Sequence, residues 1–124
     1  MNFHKESSLE KDFRIQLKKN GFFCLPKIEV SGAAFPDILC IETLSGMLRA
    51  YEIKIEKFVK TGHYIPITSV FTKQMIFLKT LSQHNCQVGL VTQINYPQVQ
   101  LDICSRFKGS AEKLFDIYYD KIFY

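Results

Sequence analysis

Three side chains with chemical potential sit close together in the middle of this sequence. Asp37 follows Pro36. Glu52 and Lys54 come after an interval of fourteen residues, separated from each other by Ile53. Two apolar runs carry them, Asp37–Glu42 and Met47–Ile55, joined by Thr43-Leu44-Ser45-Gly46, the pattern of an antiparallel hairpin. If Glu42 and Met47 close the loop, Asp37 falls directly opposite Glu52. Strand alternation then puts Glu52 and Lys54 on one face and Ile53 on the other. Two facing carboxylates repel, and a divalent cation is the simplest partner to offset that repulsion. Carboxylate oxygens suit Mg²⁺. A cation there polarises a phosphoryl oxygen and acidifies a bound water, while the Lys54 ammonium orients that water or meets developing negative charge. That set of groups suits phosphodiester hydrolysis.

The elements that must position these groups are legible in outline. Residues 8–20 predict a helix, with Leu9, Phe13 and Leu17 on one stripe and Asn20-Gly21 as the stop. Ser7 and Glu10 have capping-box spacing, so Glu10 reads equally as a cap acceptor. Phe22–Val30 reads as extended, Ser31-Gly32 as a turn, and Glu56–Thr68 as a loop broken by Gly62 and Pro66. Ser69–Asn85 predicts a second helix that crosses over to set a Val88–Ile94 strand parallel to the Met47 strand. Asn95-Tyr96-Pro97 reads as a turn, Val99–Cys104 as a further strand, and Ser110–Tyr119 as a closing helix. The expected fold is α/β: a central mixed five-stranded sheet flanked by helices in the order αβββαββα, one domain over residues 1–124.

Bulk properties narrow the function classes. The 124 residues carry 16 Lys and Arg against 12 Asp and Glu, a net charge of +4, which permits a polyanion partner without demanding one. No apolar run approaches a membrane span, and Met1–Glu6 lacks a signal-peptide core, so a cytoplasmic location is expected. Cys24, Cys40, Cys86 and Cys104 are widely spaced with no C-x-x-C pair, and read as buried free thiols. Lys57, Lys60 and Lys73, interleaved with Phe58 and Tyr64, read either as phosphate contacts or as a solvated basic surface. His63 reads as a solvated loop residue.

Pro36-Asp37, fourteen residues, then Glu52-Ile53-Lys54 resembles the signature of the PD-(D/E)XK nuclease superfamily, whose restriction-endonuclease-like core has a similar element order. The run from Glu10-Lys11 to Asn20-Gly21-Phe22, with Ser31-Gly32 ahead of the aspartate, resembles archaeal Holliday-junction resolvases. Thr72-Lys73-Gln74 before Leu78 and Leu81 is similar to the helix of VRR-NUC nucleases and bacterial junction resolvases. The Lys54-to-Gln74 interval is longer than in compact VRR-NUC domains, and the basic N-terminal patch is reduced to Lys5 and Lys11.

The resemblance implies a Mg²⁺-dependent DNA endonuclease, with Mn²⁺ as a substitute, acting on branched DNA as a homodimer in recombination or repair. It implies Glu10 as a third metal ligand beside Asp37 and Glu52, Lys54 as the catalytic lysine, and Gln74 as an aligning residue. Gln74 reads equally as a polar helix-surface residue. A repair, restriction-like or flap nuclease, or a non-catalytic nucleic-acid-binding module, are the competing expectations. A chain of this length leaves little room for a separate sequence-reading domain, which favours recognition of DNA shape.

Overall fold

The computed structural model describes residues 3–27 and 34–105. The first helix, α1, runs Glu6–Lys19 and buries Leu9, Phe13 and Leu17. Each such side chain removed from water contributes roughly 1.5–3 kcal/mol before the entropy of ordering it. The capping box is absent: Lys5 is the N-cap, in an extended conformation with no side-chain bond. Glu6 at the first turn and Lys18 and Lys19 at the last complement the helix dipole. Asn20 closes the helix by donating Nδ2–H to the Gln16 carbonyl at 2.7 Å, and Gly21, at φ +85°, turns the chain into the sheet.

Three strands follow: β1 (Phe22–Cys24), β2 (Ile38–Glu42) and β3 (Leu48–Lys54). The hairpin register is the expected one. Ile38 pairs with Tyr51, Leu39 with Ala50, Cys40 with Arg49 and Ile41 with Leu48. The second helix, α2 (Ser69–Ser82), begins at Thr68, whose Oγ1 accepts the Phe71 N–H at 3.0 Å. It carries the chain across to β6 (Gln87–Thr92), which lies parallel to β3. The sheet order is β1-β2-β3-β6. One face packs on α1 and the third helix α3 (Tyr96–Ser105), through Phe13, Ile38, Tyr51, Ile53, Val91 and Ile103. The other packs on α2, through Ala50, Phe71, Met75, Leu78, Val88 and Leu90. This is a mixed α/β arrangement with helices on both faces of the sheet.

Two expectations need correction. Among the described residues the main sheet has four strands, not five, because the segment read as a Val99–Cys104 strand is α3. Val99, Leu101 and Ile103 alternate with polar residues, which imitates a strand. In the structure Tyr96, Val99 and Ile103 are buried at helical spacing, while Leu101 is 62% exposed. Pro97, taken for a turn residue, sits in the first turn of the helix, where its missing N–H costs nothing. The Asn95 carbonyl there accepts from Gln98 and Val99. Secondly, the expected loop after β3 holds an antiparallel ribbon, β4 (Lys57–Val59) with β5 (Gly62–Tyr64), separate from the main sheet. The expected closing helix at 110–119 and the Ser31-Gly32 turn lie outside the described residues. Cys40 and Cys86 are buried free thiols, as expected, and Cys24 is free but only half-buried, while the side chain of Cys104 lies outside the described residues.

Candidate functional site

The ladder between β2 and β3 ends at Pro36, which has no N–H to continue it. Asp37 takes over there with its side chain: Oδ2 accepts the Ile53 N–H at 2.8 Å. Extending the observed register by one step sets Asp37 opposite Glu52, on the sheet face that packs against α2. Glu52 is only 1% exposed, and its Oε2 is a buried oxygen without a hydrogen-bond partner. Burial, a hydrogen bond with the Asp37 carboxyl and the Asp37 charge together push the Glu52 carboxyl up to about 10, with Lys54 acting the other way. The repulsion foreseen from the sequence is therefore present, and together with burial it favours the neutral form of Glu52.

Lys54 lies on the same face two residues along. Its Nζ sits 5.3 Å from the centroid of the Phe71 ring, a cation–π contact that limits where the flexible side chain can reach. Gln74 is three residues beyond Phe71 on α2, and its Oε1 is a buried acceptor without a partner. Glu10 comes from α1, on the opposite face of the sheet. Its Oε2 pairs with Arg14 Nε at 3.1 Å and its Oε1 with Lys27 Nζ at 3.3 Å. Lys27 Nζ also lies 3.9 Å from Asp37 Oδ1, so the ammonium links the two carboxylates. Asp37, Glu52 and Lys54 are thus brought together, Gln74 stands on their side of the sheet, and Glu10 joins Asp37 through Lys27. Among the described residues, no three His, Cys, Asp or Glu side chains gather into a metal-binding group. The pair Asp37 and Glu52 nonetheless fits a hard cation: both offer carboxylate oxygens, and Glu52 holds one unused.

Sequence reasoning passed over Arg14, Lys27 and Glu6. Arg14 donates Nη2–H to the Asp37 carbonyl at 2.7 Å and Nη1–H to the Leu25 carbonyl at 3.4 Å, besides holding Glu10. Its i,i+4 spacing from Glu10 was the available signal; Lys27 gave none. Glu6 adds to the negative field at Glu52 and lines both clefts beside the site, one with Glu10, Arg14, Lys27 and Asp37, the other with Lys54 and Phe71.

Lys57 and Lys60 are exposed on the ribbon and its turn, with Phe58 68% and Tyr64 47% exposed, and Lys73 is exposed on α2. The ribbon is tied down at its base by Glu56, which is 3% exposed. Glu56 pairs with His63 Nδ1 at 2.6 Å and accepts from Thr92 Oγ1 at 2.6 Å, and its backbone N–H donates to Gln93 Oε1 at 2.8 Å. His63 is exposed, as expected, and its Nδ1 also anchors the ribbon through Glu56.

No family model and no curated protein matches the chain. Among solved structures it is similar to Hjc of Archaeoglobus fulgidus, a Holliday junction resolvase from an archaeal hyperthermophile. That similarity has 21% identity and a TM-score of 0.44, and covers 69% of this chain and 68% of the other. No helix among the described residues is long and apolar enough to cross a membrane.

Proposed function

We propose that the protein is a metal-dependent DNA endonuclease that hydrolyses phosphodiester bonds in branched DNA, in the manner of a Holliday-junction resolvase. The observation that carries this reading is the facing pair Asp37 and Glu52, one oxygen of it buried and unpartnered, with Lys54 alongside. A purely structural role leaves that pair without a rationale, since two apposed carboxylates weaken a fold.

Asp37 and Glu52 would hold the cation. Mg²⁺, or Mn²⁺ in its place, supplies Lewis acidity toward a phosphoryl oxygen and a coordinated water of lowered pKa. The chain's own groups do the rest. The Ile53 N–H fixes Asp37 Oδ2, while Oδ1 lies 3.9 Å from Lys27 Nζ. Lys54, steadied over Phe71, offers its ammonium to the negative charge that grows on the phosphate and leaving oxygen. The unpartnered Gln74 oxygen can accept a hydrogen bond from the attacking water or from Lys54. Glu10, drawn toward Asp37 through Lys27, lends a further carboxylate once that ammonium turns to a DNA phosphate. Exposed Lys57, Lys60 and Lys73 suit backbone contacts, which position a duplex without reading its sequence. Cutting two strands symmetrically calls for two active sites, hence a homodimer.

The test is cleavage of a labelled four-way junction with Mg²⁺, by the wild type and by Asp37→Ala. The expected result is paired cuts by the wild type and none by the variant. Equal cleavage by both overturns the reading. Preference for flap or linear duplex in the same panel moves the substrate to a repair or restriction-like nuclease. Metal and DNA binding with no cleavage of any substrate leaves a non-catalytic module.

A further inference from the structure

Cys24 and Cys40 face each other across β1 and β2. The ladder bonds fix what kind of pair they form. The Leu25 N–H donates to Leu39 O at 2.8 Å, and Thr43 N–H to Gly21 O at 2.9 Å. Hydrogen-bonded and non-hydrogen-bonded pairs alternate along an antiparallel ladder, so Cys24 with Cys40 is a non-hydrogen-bonded pair. Such pairs bring their Cα atoms to about 4.5 Å with side chains closest, and a disulfide accepts Cα separations of about 4.4–6.8 Å. Both side chains lie on the face of the sheet that packs on α1. Their surroundings differ: Cys40 is fully buried, whereas Cys24 is half-buried on an edge strand, open to a small reagent.

We infer that Cys24 and Cys40 are a peroxide-sensitive modification site that closes to a reversible cross-strand disulfide, with Cys24 as the attacking thiol and Cys40 as the resolving one. The neighbouring Cys40 thiol, opposed by burial and aided by the Arg14 charge, brings Cys24 down to about 7. The Cys24 neighbour and burial push Cys40 up. Cys24, the more exposed of the two, is therefore the partner that ionises. The Cys24 thiolate attacks one peroxide oxygen, the O–O bond breaks, and the departing hydroxide takes a proton to become water. The resulting sulfenic acid is then attacked by the Cys40 sulfur. The S–O bond breaks, the S–S bond forms, and the hydroxide leaves as water with the Cys40 proton. Overall two thiols give up two electrons and two protons, and hydrogen peroxide is reduced to two waters.

The bridge would tie together both ends of the stretch that carries Lys27 and Asp37. Arg14 already holds the carbonyls of Leu25 and Asp37 at those ends. Oxidation thus stiffens the frame of the candidate site, and this effect does not depend on what the site cleaves.

The full chain is exposed to hydrogen peroxide in chelator, denatured in N-ethylmaleimide, and mapped by digestion and mass spectrometry. The expected result is a linked pair of peptides containing Cys24 and Cys40, lighter by two hydrogens, with Cys86 still alkylated. Dithiothreitol restores both thiols, and the oxidised protein melts several degrees higher than the reduced one. Cys24→Ser abolishes the linked pair. The inference is overturned if Cys24 stops at sulfinic acid with Cys40 alkylated, if Cys24 cross-links two chains instead, or if both thiols survive excess peroxide. The wild-type map decides this even where a Cys40 variant fails to fold.

Discussion

Glu52 is the residue on which the reading turns, and its energetics can be measured without any substrate. Its carboxyl is raised from 4.5 to about 10, so the folded chain retains a proton that the unfolded chain releases. For a group shifted in this direction, the stabilising contribution is complete below the unfolded value and disappears as pH rises toward the folded one. At neutral pH the metal-free protein therefore carries a penalty. Glu52→Gln should stabilise it by ~1–3 kcal/mol, while abolishing cleavage. Melting curves in chelator at pH 5 and pH 8 check this: the wild type should lose more stability across that interval than the variant. Adding Mg²⁺ should raise the wild-type midpoint and leave that of the variant in place. Lys54→Met should keep the fold and metal binding, because Phe71 packs against the stem as readily as the head, yet lose cleavage.

At the scale of elements, two tethers hold the site together. Arg14 joins α1 to the ends of β1 and β2 through Glu10 and two carbonyls. Arg14→Ala should cost ~1–3 kcal/mol and raise the metal concentration needed for cleavage, with Arg14→Lys recovering only part, since an ammonium lacks the planar fork. Urea melts and a Mg²⁺ titration of cleavage read the two effects. The other tether is Glu56, which pins the β4–β5 ribbon to the end of β6 through Thr92 and to its own second strand through His63. Glu56→Ala should speed amide exchange over residues 57–64 and leave α1 unchanged. Swapping Lys57 and Lys60 for Ala should weaken junction binding and lower the slope of log affinity against log salt by about one per lysine.

Among its described residues the molecule offers four sheet strands between helices and a basic, aromatic ribbon separate from them, with the acidic pair at the open end of the β2–β3 hairpin. A charge of +4 on so small a chain is modest. Two copies on one junction would double both the positive surface and the number of acidic sites. Sedimentation with and without junction DNA should therefore give a two-to-one complex, weakening as salt rises. A one-to-one complex at saturating protein would argue against paired cutting.

The sequence by itself determined what local pattern and pairing control. Leu9, Phe13 and Leu17 declared α1, and the length of the Thr43–Gly46 connection set the hairpin register. With it came the opposition of Asp37 and Glu52, because a period of two leaves no freedom once one pair is aligned. Tertiary structure decided whatever depended on partners distant in the chain. Val99, Leu101 and Ile103 could alternate as a strand or wind as a helix, and only the pocket left beside α1 and β6 selected the helix. The capping role open to Glu10 was lost to Arg14 and to Lys27, seventeen residues away. The ribbon formed where the sequence showed breakers, because Glu56 found Thr92 and Gln93, a whole helix and strand later. Periodicity is written into neighbouring residues. The choice among hydrogen-bond partners is made only when folding brings them within reach.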